Sequence, residues 1–195
     1  MNPKGLFTRS ARPAGLTRRS QLIPAICLLL SALPLMAANT LQPFQFNDSF
    51  EGSNPGARWI IQKVGDGNGG FEINQGQAFA GLNNSWVAAR TGWASVGIWV
   101  NITSAQQNGA TCDMFIVLQP TGTANIILEA FDGTTGARIA SKTQTLNSSS
   151  NYQSAVMGNI RIAAFHGNTF FRVAISGQGP YSAIRADGFS LACPS

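Results

Sequence analysis

The sequence predicts an all-β domain of the sandwich or barrel type. From residue 39 onward, short runs rich in β-branched and aromatic residues alternate with turn clusters, and this spacing is typical of sandwich and barrel strands. No stretch of about a dozen residues repeats apolar positions every three or four residues, as an amphipathic helix requires. The segment carries no linker and no internal repeat, so a single domain is expected.

Twelve segments are predicted to form strands, because each is a β-branched or aromatic run bounded by residues that favour turns. Gly, Asn, Ser and Pro dominate the turn segments 52–56, 65–69 and 147–151. In chain order, the predicted strands are Phe44–Phe50, Trp59–Val64, Gly70–Ile73, Gln77–Ala80, Trp86–Arg90, Ser95–Thr103, Asp113–Leu118, Asn125–Phe131, Arg138–Thr145, Gln153–Phe165, Thr169–Ser176 and Ala183–Ala192.

Alternation within these strands assigns their faces. In Ser95–Thr103 one face carries four aliphatic residues and is assigned to the core, whereas Trp99 lies on the other face with Gly97. The same alternation places Arg172 and Glu129 opposite the aliphatic residues of their own strands. The outer surface is therefore predicted to carry a tryptophan together with an arginine and a glutamate.

The first 38 residues have the three parts of a secretory signal. Residues 1–21 carry basic and no acidic side chains, Leu22–Leu35 is mostly apolar, and small residues surround Ala38. The apolar run is too short to span a bilayer, and no second run of about 18–20 apolar residues follows. We expect residues 1–38 to be cleaved and residues 39–195 to be exported, to the periplasm, the cell surface or the medium, by the general or the twin-arginine route.

Cleavage of this signal would remove the excess of positive charge. The full chain has a formal net charge of +5, and five of its basic residues lie in the predicted signal. The rest of the chain has eight Lys or Arg against eight Asp or Glu, so no basic stripe remains for nucleic acid or an anionic membrane. We therefore expect neither nucleic acid nor a membrane as a partner. The domain is expected to be monomeric or to associate only weakly.

Two cysteines, Cys112 and Cys193, remain after cleavage. In an oxidising compartment such a pair predicts one disulfide. The bond would close a loop of about 80 residues and contribute about 4 kcal/mol in the chain-entropy model. Two cysteines and the single histidine, His166, are too few ligands for a zinc site.

Three segments carry a resemblance to a known family. Phe46–Gly52, followed by Trp59, combines an Asn, a Phe-Glu pair and a Gly; Gly76–Gly81 fits the pattern Gly-x-Ala-x-x-Gly; and Ile184–Leu191 places an Asp before alternating apolar residues. In order and spacing they resemble the jelly-roll, galactose-binding-like domains that include many carbohydrate-binding modules. The resemblance implies a jelly-roll β-sandwich and carbohydrate as the partner, although a fold alone does not define a function.

The resemblance also implies a structural calcium ion. In such modules a first-strand Glu and a last-strand Asp often help to bind calcium, and the matching residues are Glu51 and Asp187. Asp187 has the same parity as Phe189, which predicts that it points inward, where a carboxylate needs a cation or hydrogen-bond donors. An ion pair with Arg185, or backbone N–H donors, are the alternatives. Gly188 stands where the family often has a second Asp.

Aromatic side chains are the expected ligand contacts, because such folds bind sugars by stacking aromatic faces on pyranose rings. Trp99 on the outer face is the best candidate, Trp86 and Trp93 flank turns, and Tyr152 and Tyr181 lie in or beside polar loops. The alternative for each of them is ordinary packing in the core or under a loop.

The sequence contains no recognisable catalytic constellation. His166 is predicted to lie in a turn, no Gly-x-Ser-x-Gly elbow is present, and the eight acidic residues are scattered rather than paired as a glycosidase requires. The domain is therefore predicted not to be an enzyme. The predicted function is non-catalytic carbohydrate recognition, and the alternative is a structural or adhesive β-sandwich of a cell surface or matrix with no glycan ligand. A lyase or hydrolase is the third candidate.

Overall fold

Residues 43–102, 109–162, 168–177 and 181–194 are described by the structure, which is a computed structural model. The predicted signal peptide, residues 1–38, and His166 lie outside these ranges. Within them, no helix is long and apolar enough to cross a bilayer. The helical content described consists of a 3₁₀ turn at Pro55–Ala57.

Eleven strands make up the rest of the regular structure in the described ranges. They are β1 (Phe44–Asp48), β2 (Trp59–Val64), β3 (Asn68–Ile73), β4 (Asn83–Ala89), β5 (Trp93–Asn101), β6 (Thr111–Thr121), β7 (Ala124–Asp132), β8 (Arg138–Leu146), β9 (Gln153–Arg161), β10 (Asn168–Ser176) and β11 (Ser182–Cys193).

The strands form two sheets whose pairs are all antiparallel. The six-stranded sheet has the order β3-β4-β11-β6-β9, with β1 also pairing with β11. The five-stranded sheet has the order β2-β5-β10-β7-β8. The prediction of an all-β sandwich is confirmed.

The core lies between the two inner faces and follows the predicted alternation. The four aliphatic residues of β5 and its continuation that were assigned to the core are at most 2% exposed. Aromatic rings pack across the two sheets. The ring centroid of Phe189 in β11 lies 5.6 Å from that of Trp59 in β2 and 6.0 Å from that of Phe171 in β10. The Trp59 ring also stacks on Phe50, with centroids 4.0 Å apart.

The predicted strand Gln77–Ala80 is wrong, since this segment belongs to the loop between β3 and β4. Gly76 and Gly81 flank it with φ angles of 67° and 77°, a backbone conformation that glycine adopts readily and that does not continue a strand. Its N–H groups bond to a carboxylate of β11 rather than to a neighbouring strand. We call residues 74–82 the β3–β4 loop.

The inward orientation predicted for Asp187 is also wrong. The register of β11 against β6 shifts between Asp187 and Ser190, and Gly188 has a φ of 56°, which together mark a β-bulge. Because of the bulge, core positions change from Ile184 and Ala186 before it to Phe189 after it. Asp187 therefore lies on the outer face of the six-stranded sheet, where it is nonetheless fully buried.

The predicted disulfide joins Cys112 of β6 to Cys193 of β11. The next residues along these antiparallel strands, Asp113 and Ala192, are direct partners in the sheet, so the bond is a cross-strand link at one end of the pair. Both cysteines are at most 1% exposed. The link fixes β11, the middle strand of the six-stranded sheet, to its neighbour β6.

Candidate functional site

The five aromatic residues predicted as ligand contacts lie on two opposite surfaces. Trp93 and Trp99 belong to β5 and lie on the outer face of the five-stranded sheet. Trp86 lies on the outer face of the six-stranded sheet, because it alternates with the core residues Val87 and Ala89 of β4, and Tyr152 and Tyr181 lie beside the same sheet. They do not converge on one site.

Three aromatic rings lie side by side across the five-stranded sheet. Trp99 of β5 pairs in register with Phe170 of β10, which pairs with Phe131 of β7. The ring centroids are 5.0 Å apart for the first pair and 6.4 Å for the second. Trp99 is 48% exposed and Phe170 only 6%, so the indole is the accessible end of this set, which we call the aromatic row.

A row of polar side chains runs beside the aromatic row. Arg172 of β10 donates through Nε to Glu129 of β7 at 2.7 Å and through one terminal nitrogen to Gln62 of β2 at 2.9 Å. Its guanidinium lies 4.6 Å from the Trp93 ring centroid and 4.5 Å from that of Phe131, which are cation–π distances. We call Gln62, Arg172 and Glu129 the polar row.

Glycine at position 97 lets both rows lie flat across β5. A Cβ at this position would lie 2.7 Å from the Phe171 carbonyl oxygen and 2.8 Å from the Arg172 Cβ, and closer still to the Phe170 ring. Real Cβ atoms do not approach other atoms so closely, so any side chain here would displace one of the rows. The outer position between Trp99 and Ser95 must therefore be empty of side chain.

Glu129 is held as an ion pair rather than as a free carboxylate. Its side chain is 6% exposed and meets Arg172 at 2.7 Å and Arg138 at 3.2 Å. Two guanidinium groups therefore fix the position of one carboxylate. The arrangement suits a fixed hydrogen-bonding surface beside an apolar ring.

The outer face of the six-stranded sheet carries a small pocket. It has a volume of about 180 Å³ and is lined by Glu72, Trp86, Thr121, Tyr181, Ala183, Ile184 and Arg185. Arg185 bonds to both oxygens of Glu72, at 2.7 and 3.3 Å, and to the side-chain oxygen of Gln119 at 3.2 Å. Burial opposes ionisation of Glu72, but the bonds from Arg185 and Asn84 outweigh it and lower the pKa of Glu72.

Tyr152 fixes the β3–β4 loop against this sheet. Its hydroxyl donates to the Gln77 carbonyl oxygen at 2.7 Å, and its ring lies 5.5 Å from that of Phe79. Burial, followed by the charge of Asp187, raises the pKa of Tyr152 to about 12. The hydroxyl therefore stays protonated and remains a donor to the loop.

Glu51 and Asp187, the residues predicted to bind calcium, hold the other side of the same loop. One oxygen of Asp187 accepts from Phe79 N at 2.8 Å and Ala80 N at 3.0 Å, and the other accepts from Gly188 N at 2.7 Å. Glu51 accepts from the N–H groups of residues 82 and 83 at 2.9 and 3.0 Å. Burial raises the pKa of Asp187 in spite of these bonds, and the Glu51 charge adds to the shift.

These contacts do not fit a calcium ion on the same oxygens. Backbone N–H groups present positive partial charge and favour anions, so a cation between the carboxylates and the loop would face repulsion. In the ranges that the structure describes, no group of three His, Cys, Asp or Glu comes together as a metal site. Calcium binding stays a prediction, and the backbone donors that were its alternative are present.

Comparison with known proteins identifies the fold. No protein-family profile matches the chain, and no curated protein matches its sequence. The CBM22-1 xylan-binding domain from Paenibacillus barcinonensis Xyn10C superposes with a TM-score of 0.53 at 11% identity, over 76% of this chain and 92% of that one. The C-terminal family 22 carbohydrate-binding module of Clostridium thermocellum Xyn10B superposes with a TM-score of 0.50 at 18% identity, over 77% and 93%. A CBM4 structure gives 0.50 at 12% identity, over 71% and 96%.

The chain therefore has the jelly-roll β-sandwich fold of carbohydrate-binding modules, as its resemblance implied. At these identities the likeness establishes the fold, and the ligand has to be argued from the side chains. Sequence reasoning placed Trp99, Arg172 and Glu129 on outer faces but missed Phe131 and Phe170. The available signal was the alternation of side chains within β7 and β10. Phe131 lies two residues after Glu129, and Phe170 lies two residues before Arg172, so each shares the outer face with the charged residue of its strand.

Proposed function

We propose that this domain binds carbohydrate without modifying it, through the outer face of the five-stranded sheet. The observation that carries the proposal is the aromatic row lying beside the polar row, with the Trp99 indole accessible at 48% exposure. A sugar ring has an apolar C–H face and a rim of hydroxyls. An exposed ring next to fixed donors and acceptors is complementary to both.

The polar row supports recognition rather than simple adhesion. Arg172 is held on Glu129 and Gln62 and lies between two aromatic rings, so the hydrogen-bonding groups are already ordered before a ligand arrives. Binding then loses little side-chain entropy. Trp99 is the exposed ring of the aromatic row, and the polar row beside it runs from β2 to β7, over three inter-strand gaps or about 14 Å. The surface therefore extends over more than one sugar ring.

The carboxylates beside the aromatic row and in the pocket of the six-stranded sheet support a non-catalytic role, whereas Asp187, whose pKa is raised, is fully buried against the β3–β4 loop. A glycosidase needs one carboxyl group with a raised pKa as proton donor and a second one opposite it. Glu129 is bound by two arginines and Glu72 by one, and the pKa of Glu72 is lowered. Both are therefore suited to accept hydrogen bonds from hydroxyls.

An extracytoplasmic location is part of the proposal. It is supported by the buried Cys112–Cys193 disulfide, a bond that persists in oxidising compartments, and by the signal peptide predicted for residues 1–38. Polysaccharides outside the cytoplasm are the corresponding class of ligand.

The proposal is tested by screening the exported protein on a glycan array and measuring affinity for the best ligand by calorimetry. Trp99→Ala is expected to weaken binding by at least about tenfold, as loss of a central aromatic contact does. Phe115→Ala is the matched control, because Phe115 is 41% exposed but lies on the other sheet. Binding that is absent from every glycan, or that survives Trp99→Ala unchanged, would refute the proposal, and absence would favour the structural or adhesive alternative.

A further inference from the structure

We propose that the six-stranded sheet carries a second carbohydrate site, a pocket for one terminal or branching sugar residue. The inference rests on the proposed function, because it extends carbohydrate recognition to another surface. The two sheets pack by their inner faces, so the outer face that carries this pocket and the outer face that carries the aromatic row lie on opposite sides of the sandwich. Occupation of both would make one domain able to hold two glycan chains.

The size of the pocket selects a single ring. Its volume is about 180 Å³, whereas pockets for drug-sized ligands measure about 300–1,000 Å³. The outer face around Trp99 and the polar row is open, but this pocket is bounded by Trp86 and Tyr181 and includes Thr121 of β6 and its register partner Ala183 of β11. A continuous chain suits the first surface, and a chain end or side branch suits the second.

The floor of the pocket has the hydrogen-bonding chemistry that hydroxyl groups require. Arg185 has five N–H donors, and three of them are used on Glu72 and Gln119. Among the residues that the structure describes, two donors therefore remain, and the Glu72 carboxylate has lone pairs left to accept. Sugar hydroxyls donate and accept at once, so each can bridge the ion pair.

The charge balance of the pocket favours a neutral ligand over an anion. The Arg185 charge is matched by Glu72 at 2.7 Å, and the lowered pKa of Glu72 keeps its carboxylate ionised. A carboxylate or phosphate ligand would have to compete with Glu72 for the same guanidinium. A neutral sugar can bind without breaking the pair.

The floor is ordered by bonds that cross four neighbouring strands. Glu72 of β3 accepts from Asn84 of β4 at 2.7 Å and from Arg185 of β11, which reaches Gln119 of β6. Gln119 in turn donates to the Ser150 carbonyl oxygen at 2.6 Å. Such cross-strand support holds the polar groups in place before a ligand binds, which raises affinity for a small one.

The Trp86 indole lies along the backbone of its neighbouring strand. A Cβ at Gly70, its partner in β3, would lie 3.3 Å from the indole nitrogen and within 3.8 Å of two ring carbons. The absence of a side chain at position 70 thus lets the ring pack closely on β3 at the side of the pocket. An aromatic wall beside a polar floor repeats, on a smaller scale, the chemistry of the aromatic row.

Two-dimensional NMR of the four tryptophan indole N–H groups reads the two surfaces separately. The probes are D-xylose, D-galactose and D-glucose as single rings, and xylohexaose and β-1,4-galactotriose as chains. At least one single ring is expected to shift the Trp86 signal, and Ala183→Arg, which fills the pocket, is expected to abolish that shift. Tyr181→Ala changes an exposed residue and should not disturb folding. It is expected to weaken the affinity read from the Trp86 shift at least threefold.

The controls separate this inference from the proposed function. Trp99→Ala is expected to leave the Trp86 response to single rings within twofold, while Ala183→Arg leaves the response of Trp99 to chains within twofold. A Trp86 signal that no single ring shifts, or a shift that survives Ala183→Arg, would overturn the second site alone if chains still perturb Trp99. Failure of every probe at both indoles would overturn the second site, and together with an absence of binding across the glycan array it would overturn the proposed function as well.

Discussion

Removal of the disulfide should destabilise the domain by an amount that the chain topology sets. The bond joins residues 81 positions apart, and the loss of loop-closure entropy for that length corresponds to about 4.5 kcal/mol at 25 °C. For a domain of this size the melting midpoint should fall by about 9–18 °C. The double variant Cys112→Ala/Cys193→Ala is the cleanest perturbation, because both side chains are buried and alanine introduces no polar group.

Urea denaturation of the double variant, and of the wild type with and without reductant, measures this effect. The variant should show a lower midpoint and a steeper dependence of the unfolding free energy on urea, because the unlinked chain exposes more surface when unfolded. Reduced wild type should match the variant to within about 1 kcal/mol, the packing difference between cysteine and alanine. A loss below about 1 kcal/mol, with an unchanged slope, would refute the account in which the link acts on the unfolded chain.

Three further predictions concern the two outer faces. Asp187→Ala removes the acceptor for the Phe79 and Ala80 N–H groups and should cost about 1–3 kcal/mol in thermal or urea unfolding. The contacts of Asp187 with backbone donors predict the same wild-type midpoint in 1 mM calcium and in EDTA, and a midpoint that rises with calcium would support the predicted ion site instead. Because the pKa of Glu72 is lowered on folding, the ionised carboxylate contributes to stability above pH 4.5, and this contribution is lost as the pH falls through the lowered value. In Glu72→Gln this part of the acid sensitivity should disappear from the free energy of unfolding. A variant whose unfolding free energy has the same pH dependence as that of the wild type would contradict the ion pair. Gly97→Ala should destabilise the domain by about 1–3 kcal/mol and weaken glycan binding, since the new Cβ displaces Phe170 or Arg172. Ser190→Ala, on the outer face of the other sheet, is the control.

The fold could be predicted from the sequence where local rules act alone. Period-two alternation in β5 and β10 identifies the core face without knowledge of neighbouring strands, and β2 begins and ends at the predicted residues. The segment Gln77–Ala80 was predicted as a strand because it is apolar and flanked by glycines. The conformation of the β3–β4 loop depends on two carboxylates that are distant in sequence. Asp187 of β11 is more than a hundred residues away, and Glu51, which follows β1, is about thirty residues away.

The site was harder to predict because strand order is not a local property. Trp99, Phe170 and Phe131 become neighbours because β10 lies between β5 and β7, and nothing within any one of these strands specifies that order. Asp187 was assigned to the wrong face because one bulged residue, Gly188, reverses the alternation. A glycine inside a strand is the signal that such a reversal gives.

The central claim is that the outer face of the five-stranded sheet binds glycan, and a residue-resolved map of the bound oligosaccharide tests it most directly. Saturating the domain with the strongest array ligand should perturb the NMR signals of the Trp93 and Trp99 indoles and of Arg172 Nε, and leave the backbone signal of Phe115 in place. A map in which an oligosaccharide binds tightly while these three groups remain unperturbed would contradict the account.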